Sequence, residues 1–504
     1  MNLARERVSF SSGRAPSRRL RVSFRSYALL YLLLAAFLLV AHAPLLNLPY
    51  YWDEAGQFIP AALDIFQHGA WIPRSTIPNV HPPGLMAYLA AVWTIFGYSI
   101  PASRIAMLLL AAGGAAVAFL LSIELSRGST GAPAFTAIAL LIVSPLFFSQ
   151  SMLAQLDMPA MCFTCLALLL FLQNRFRDSA IACAVLVVIK ETGIVAPALF
   201  GCWLLAERRV KIALWYLLPV PCLALWLVAL HHATGHWFGN SEFIQYNVVE
   251  TLNPARFLLA LARRVYYLFI SSGHIIGTVA LIYAFRRMPL LRDRPWRIAA
   301  SLVGAQILMV SLLGGAVLER YLLPVLPIVY AAFAISTRSL TRASRVAVLV
   351  AMLACLAAAL FVDPPYPFPL ENNLAFVSFV SLEQEAAASA ELQDGVIATA
   401  FPMSNALRRP ELGFVARPLR VREMADFRRE DVMRLRENMP AAVIVFDPVH
   451  DPLGLLEVAS IRKLMTRYYG YEPGMTPDEI AAALSMNIVQ RWRSRGLTMS
   501  LLTP

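Results

Sequence analysis

Charge is scarce in this sequence. Only 15% of its 504 residues are charged and 59% are hydrophobic, with a mean hydropathy of +0.62. A soluble protein of this length carries roughly a quarter charged residues, so a soluble globular enzyme is excluded. Lysine is nearly missing: Lys190, Lys211 and Lys463 stand alone among many arginines. The 6 cysteines, Cys162, Cys165, Cys183, Cys202, Cys222 and Cys355, all lie inside apolar runs. Loops and tail have none, which rules out a disulfide framework there. Cys162-x-x-Cys165 has redox-like or metal-like spacing, but within a span it reads as small-residue helix packing. No Gly-rich nucleotide fingerprint and no internal repeat is present, and repeats are what many transporters are built on.

What the sequence does have is apolar runs that approach the roughly 20 residues needed to cross a bilayer. The net charge of +12 sits beside those runs rather than in a nucleic-acid-binding patch. That is the pattern of positive-inside topology and anionic headgroups. Residues 1–25, rich in Arg and Ser, read as a basic cytoplasmic tail that orients a first span over 26–47. Further spans are expected over 101–123, 133–149, 159–173, 178–189, 192–206, 211–231, 265–285, 298–315, 321–336 and 345–362, about 11 in all. Residues 85–96 are apolar but short. If they cross, the basic loops at 173–178, 207–211 and 286–297 fall outside, so the charge rule favours an interfacial or re-entrant helix. Asp53 and Asp157 then share one side. After Asp363-Pro-Pro-Tyr-Pro-Phe-Pro, two apolar strand-like stretches (396–399 and 443–447) alternate with helical patterns at 376–392, 421–438, 454–468 and 477–493. Residues 363–504 therefore read as a small α/β domain outside the cytoplasm.

The stretch from Tyr50 to Gly84 carries the strongest motif. Tyr51-x-Asp53-Glu54 follows the first span directly, and adjacent carboxylates at a membrane surface are costly unless they face water, a cation or a substrate. An amphipathic segment with Phe58, Ala61, Ala62, Ile65 and Phe66 at helical spacing leads to His81-Pro82-Pro83-Gly84. A polar helix cap followed by an ordinary loop is the plain alternative. The motif resembles the GT-C membrane glycosyltransferases, in particular the bacterial relatives of dolichyl-phosphate-mannose protein mannosyltransferases and lipid A aminoarabinose transferases. The resemblance runs from about Arg25 to Ile335.

It implies a carboxylate base for an acceptor hydroxyl, cations for a leaving phosphate, and an apolar groove for a prenyl tail. Asp53 matches the family's first-loop aspartate and is the candidate base. Glu54 is placed to bind the acceptor, assist with a cation or raise its neighbour's pKa. Asp157, before Pro159, is the second acidic candidate, and equally a favoured helix cap. Lys190-Glu191 matches the family's turn after the fifth span, with a surface ion pair as the alternative. Arg320-Tyr321, in Arg-Tyr-x-x-Pro, resembles the motif that opens a late span, where Arg320 clamps a donor phosphate or else snorkels to the interface. Tyr51 and His81 complete the expected substrate-binding set, His81 standing where several family members have lysine. His232 and His236 have i, i+4 spacing but no carboxylate to complete a zinc set.

The expectation is thus an α-helical polytopic membrane protein of GT-C type, 26–362, whose first outer loop is 48–100. It moves a sugar from a polyprenyl-phosphate donor to a protein, lipid or glycan hydroxyl outside the cytoplasm of a cell membrane. No metal site is expected, and a divalent cation is the sole cofactor left open. A transporter or lipid flippase is the rival class.

Overall fold

The computed structural model describes residues 24–126, 131–241, 245–447 and 449–504. The basic tail, up to residue 23, lies outside them. Among the described residues, six helices are long and apolar enough to cross a membrane: Arg25–Leu45, Ile100–Leu125, Val210–Thr234, Arg294–Leu312, Glu319–Ser339 and Arg342–Ala359. A seventh candidate is a pair, Pro254–Phe269 and Ser271–Phe285, bent by 41°. Ser272 (φ 53°) and Gly273 (φ 85°) form that break. A Cβ on Gly273 would fall 2.3 Å from that of Cys355, so only glycine lets the break close up against helix Arg342–Ala359. Ala132–Val143, Asp157–Leu172, Phe176–Ile189 and Glu191–Ala206 are shorter apolar helices. Each expected span has a helix, but several are too short to cross a bilayer unaided. This is a multi-pass membrane protein.

The bundle is organised on Ile100–Leu125 and Asp157–Leu172. Ala111, Ala112, Gly114 and Ala115 let these helices approach closely; a Cβ on Gly114 would lie 2.8 Å from the Met161 side chain. Cys162 and Cys165 are free thiols in this packing layer. Gly84–Phe96 is a 13-residue helix, about 20 Å long at 1.5 Å per residue and well short of a bilayer core. Gly84 packs on the Val188 carbonyl with no room for a Cβ.

The C-terminal residues form a five-stranded sheet of order β2-β1-β3-β5-β4. β1 is Ile397–Ala400, β2 Val421–Met424, β3 Ala442–Phe446, β4 Asn487–Ser494 and β5 Leu497–Thr503. β2 and β3 flank β1 in parallel, and the β4–β5 hairpin adds to β3 antiparallel. Two of the expected helices are corrected here. Of 421–438, only Arg429–Arg434 is α-helical, because Val421–Met424 pairs with β1. Of 477–493, the helix ends at Leu484, where Ser485 turns left-handed, and the rest is β4. Arg495 (φ 51°) and Gly496 (φ 78°) both have positive φ, the geometry of a tight hairpin turn.

This domain is docked on the segment 48–100. The Phe401 ring stands 2.7 Å from where a Cβ on Gly56 would be, and edge-on to Trp52 at 5.6 Å. The Tyr51 ring packs on Phe376 and Phe379 at 5.7 and 6.2 Å. Backbone bonds complete the seam: Tyr50 N–H to Leu412 O at 3.3 Å, and Tyr98 OH to Glu411 O. The loop that carries Asp53 is thereby held between helical bundle and sheet.

Candidate active site

Four chain segments meet at Arg320. Leu318 is extended, and Glu319–Val325, which contains Pro324, then tightens into 3₁₀ turns in which Arg320 is buried. Its side chain is 5% exposed, so it needs anionic partners. Nη2 donates to Asp53 Oδ2, Nε lies 3.4 Å from Asp157 Oδ2, and Nη1 lies 2.9 Å from Glu371 Oε1. The second and third contacts are ion pairs by distance, but neither N–H is aligned for a hydrogen bond. Asp157 opens its helix just before Pro159 and uses its other oxygen to accept from Lys190 Nζ at 2.5 Å. Lys190 sits at the extended break between Phe176–Ile189 and the turn Glu191–Ile194, and its ammonium stands over the Tyr321 ring at 4.3 Å.

Asp53, Asp157, Lys190, Arg320 and Tyr321 are therefore brought together. Asp53 is the open member, with a side chain 33% exposed against 3% for Asp157. His81 and Glu191 pair with each other, Nδ1 to Oε2 at 2.9 Å, beside the Lys190 break. Tyr51 lines the seam next to Asp53.

Glu54 points into a separate, fully buried cluster. Its Oε1 accepts from Arg104 Nη1 and from the Ala154 backbone N–H, both at 2.5 Å, and Oε2 accepts from Tyr51 N–H at 3.0 Å. Arg104 also donates to the carbonyls of Met152, Leu48 and Pro49. The pair ties the first loop to helix Ile100–Leu125 and to the turn before Asp157. Among the described residues no group of three or more His, Cys, Asp or Glu is placed to hold a metal ion.

No known family profile matches the sequence, and no curated protein matches it either. Among solved structures, ArnT from Cupriavidus metallidurans in the apo state is similar over 95% of this chain and 98% of that chain, with a TM-score of 0.55 at 14% identity. ArnT from the same organism bound to undecaprenyl phosphate gives a TM-score of 0.54 at the same identity and coverage. The chain shares the fold of these two structures.

Within this fold, two residues of the site have no counterpart in the motifs of the sequence. Glu371 follows the last helix of the bundle, in a turn after a proline-rich segment, and gave no periodic signal. Arg264 lies on the amphipathic helix Pro254–Phe269, where it reads as a flank of a span. It is 1% exposed, its guanidinium is 5.8 Å from the Tyr321 ring centre, and it donates only to the carbonyls of Val310 (2.6 Å) and Leu318 (3.3 Å). The same ring thus has Lys190, Arg264 and Arg320 within 6 Å. Below Asp157 and Ile189 an open groove of about 450 Å³ is lined by Gly84, Leu85, Tyr88, Pro159, Phe163 and Val188 among other apolar groups.

Proposed function

We propose that this protein is an integral-membrane glycosyltransferase that moves a sugar from a polyprenyl-phosphate donor to an acceptor hydroxyl on a protein, lipid or glycan outside the cytoplasm. The observation that carries the reading is the convergence of Asp53, Asp157, Lys190 and Arg320, from four distant segments, into one buried network beside an apolar groove. The GT-C fold supports it, as does a structural neighbour bound to undecaprenyl phosphate.

The chemistry divides among these groups. Asp53, the exposed carboxylate, accepts the proton of the acceptor hydroxyl as its oxygen attacks C1 of the sugar. The C1–O bond to phosphate breaks on the opposite side, giving inversion in a single displacement. Charge grows on the phosphate in a site of low dielectric, where fixed cations act strongly. Arg320, Lys190 and Arg264, ranged around Tyr321, supply that charge. Asp157 uses both oxygens on Lys190 and Arg320, so it positions the cations rather than the acceptor. The groove beside Gly84–Phe96 takes the first isoprene units of the tail. The positive charge in this scheme comes from side chains, and no step is assigned to a divalent cation.

The test is transfer from synthetic polyprenyl-phosphate sugars by purified protein in nanodiscs, in the wild type and in Asp53→Asn. Loss of the base should lower the rate by about 100- to 10,000-fold with unfolding unchanged. Near-normal transfer by Asp53→Asn would overturn the assignment.

A further inference from the structure

Arg320 stands within ion-pair distance of three carboxylates but hydrogen-bonds only Asp53 among them. Lys190, Asp157, Arg320, Asp53 and Glu371 form one linked set of ion pairs, three carboxylates with two cations, and Arg264 adds a third positive charge across the Tyr321 ring without pairing to any of the three. A donor phosphate at Arg320 would add a fourth anion to a buried site, at a cost that grows steeply as the dielectric falls. Something must give way. Asp53 is needed as a base, and Asp157 is locked by Lys190. Glu371 has neither commitment.

Its contacts are those of a group that can let go. Glu371 is 4% exposed, and its Oε1 stands 2.9 Å from Arg320 Nη1 without a hydrogen bond on either atom. Its backbone is fixed independently, the carbonyl accepting from Ser149 Oγ at 2.6 Å and Gln150 Nε2 at 3.4 Å. Oε2 accepts from Gln155 Nε2 at 3.3 Å. The amide oxygens of Gln150 and Gln155, the two side chains that donate to Glu371, are both buried and unpartnered. The charged and titratable groups around Glu371 are Arg320, Asp53, Asp157 and Tyr51, with Glu319 and Arg263 beyond Asn372 and Glu383 on the next helix. Helix Pro145–Gln150, packed against it, carries none.

Resting on the donor reading above, we propose that Glu371 is the positioning residue that a donor phosphate displaces from Arg320. On displacement its carboxylate takes one proton from water, while the phosphate oxygen takes its place at Nη1. The net charge of the site is then unchanged by binding. Burial raises the Glu371 carboxyl to about 7, with Arg320 opposing and Asp53 and Asp157 adding to the rise. Turning Arg320 toward a phosphate takes away the opposing positive charge and carries the carboxyl higher still.

Farnesyl methyl phosphate is a suitable probe, because this phosphodiester keeps one charge across the range tested. Its affinity for the wild-type protein should fall as pH rises above about 7, by up to about tenfold per unit. Glu371→Gln should bind independently of pH, about equally to wild type near pH 6 and at least about tenfold more tightly near pH 8.5. Calorimetry of the wild type in two buffers of different ionisation enthalpy should show up to about one proton taken up per probe bound near pH 8. This measurement needs no variant to fold. Intact binding without proton uptake, or with parallel pH profiles in the two proteins, overturns the exchange alone. Weaker binding by Glu371→Gln at every pH also overturns it, since Glu371 would then be an anchor for Arg320. A wild-type protein that binds no probe at any pH overturns the donor reading and the exchange together.

Discussion

Glu54 and Asp53 are neighbours in the sequence with opposite surroundings, and Glu54→Gln tests that contrast. The Glu54 and Arg104 side chains are both fully buried, 2.5 Å apart at closest approach. With charge centres about 4 Å apart and an effective dielectric near 20, their attraction is about 4 kcal/mol. Removing one charge leaves Arg104 buried among carbonyls with no anion, and breaking such a pair costs about 3–5 kcal/mol. A glutamine oxygen can still accept from Ala154 N–H, so the lower half of that range is expected. Equilibrium unfolding in mixed micelles should therefore show Glu54→Gln destabilised by about 3 kcal/mol. The double variant Glu54→Gln/Arg104→Met, which removes the stranded charge, should recover most of the loss. Transfer per folded molecule should fall far less than in Asp53→Asn. If Glu54→Gln unfolds like wild type but loses transfer by more than about 100-fold, Glu54 acts in the chemistry and the structural assignment is wrong.

Other consequences can be checked alongside. Arg264→Met should raise the KM for a polyprenyl-phosphate donor while leaving acceptor KM unchanged; an equal effect on both would remove Arg264 from the phosphate site. Glu383 is buried with neither carboxylate oxygen hydrogen-bonded, and burial holds its carboxyl well above the usual carboxylate range. At this residue the folded state therefore binds more protons than the unfolded one, so the Glu383 contribution to stability is greatest at low pH and falls as pH rises from the unfolded value of about 4.3, by at most about 1.4 kcal/mol per unit. Glu383→Leu should flatten that profile and raise stability at neutral pH, and an unchanged slope would refute it. Gly56→Ala places a methyl against Phe401 and should loosen the C-terminal domain, read as faster proteolysis at 363–373; Phe401→Leu in the same chain should restore protection.

The membrane class, the order of helices and the small α/β domain were legible in the sequence because each rests on local composition and periodicity. Apolar runs near span length, arginines at their ends and the proline-rich break after Val362 need no tertiary context. Asp53, Asp157, Lys190 and Arg320 were legible for a related reason, since a charge beside an apolar run is costly and so conspicuous. Their partners were not. Lys190-Glu191 reads equally well as a surface pair, and only the approach of separate helices gives Lys190 to Asp157 and Glu191 to His81. Asp53-Glu54 reads as one acidic motif. Its division into an open carboxylate and a buried strut depends on Arg104, which is fifty residues away. Strand β4 was masked because its alternation overlaps a helical period in so short a run, and pairing with β5 decided it. Glu371 and Arg264 carry no motif at all. What distinguishes them is a long-range position beside Arg320 and Tyr321, and position of that kind is set by how helices pack rather than by any pattern along the chain.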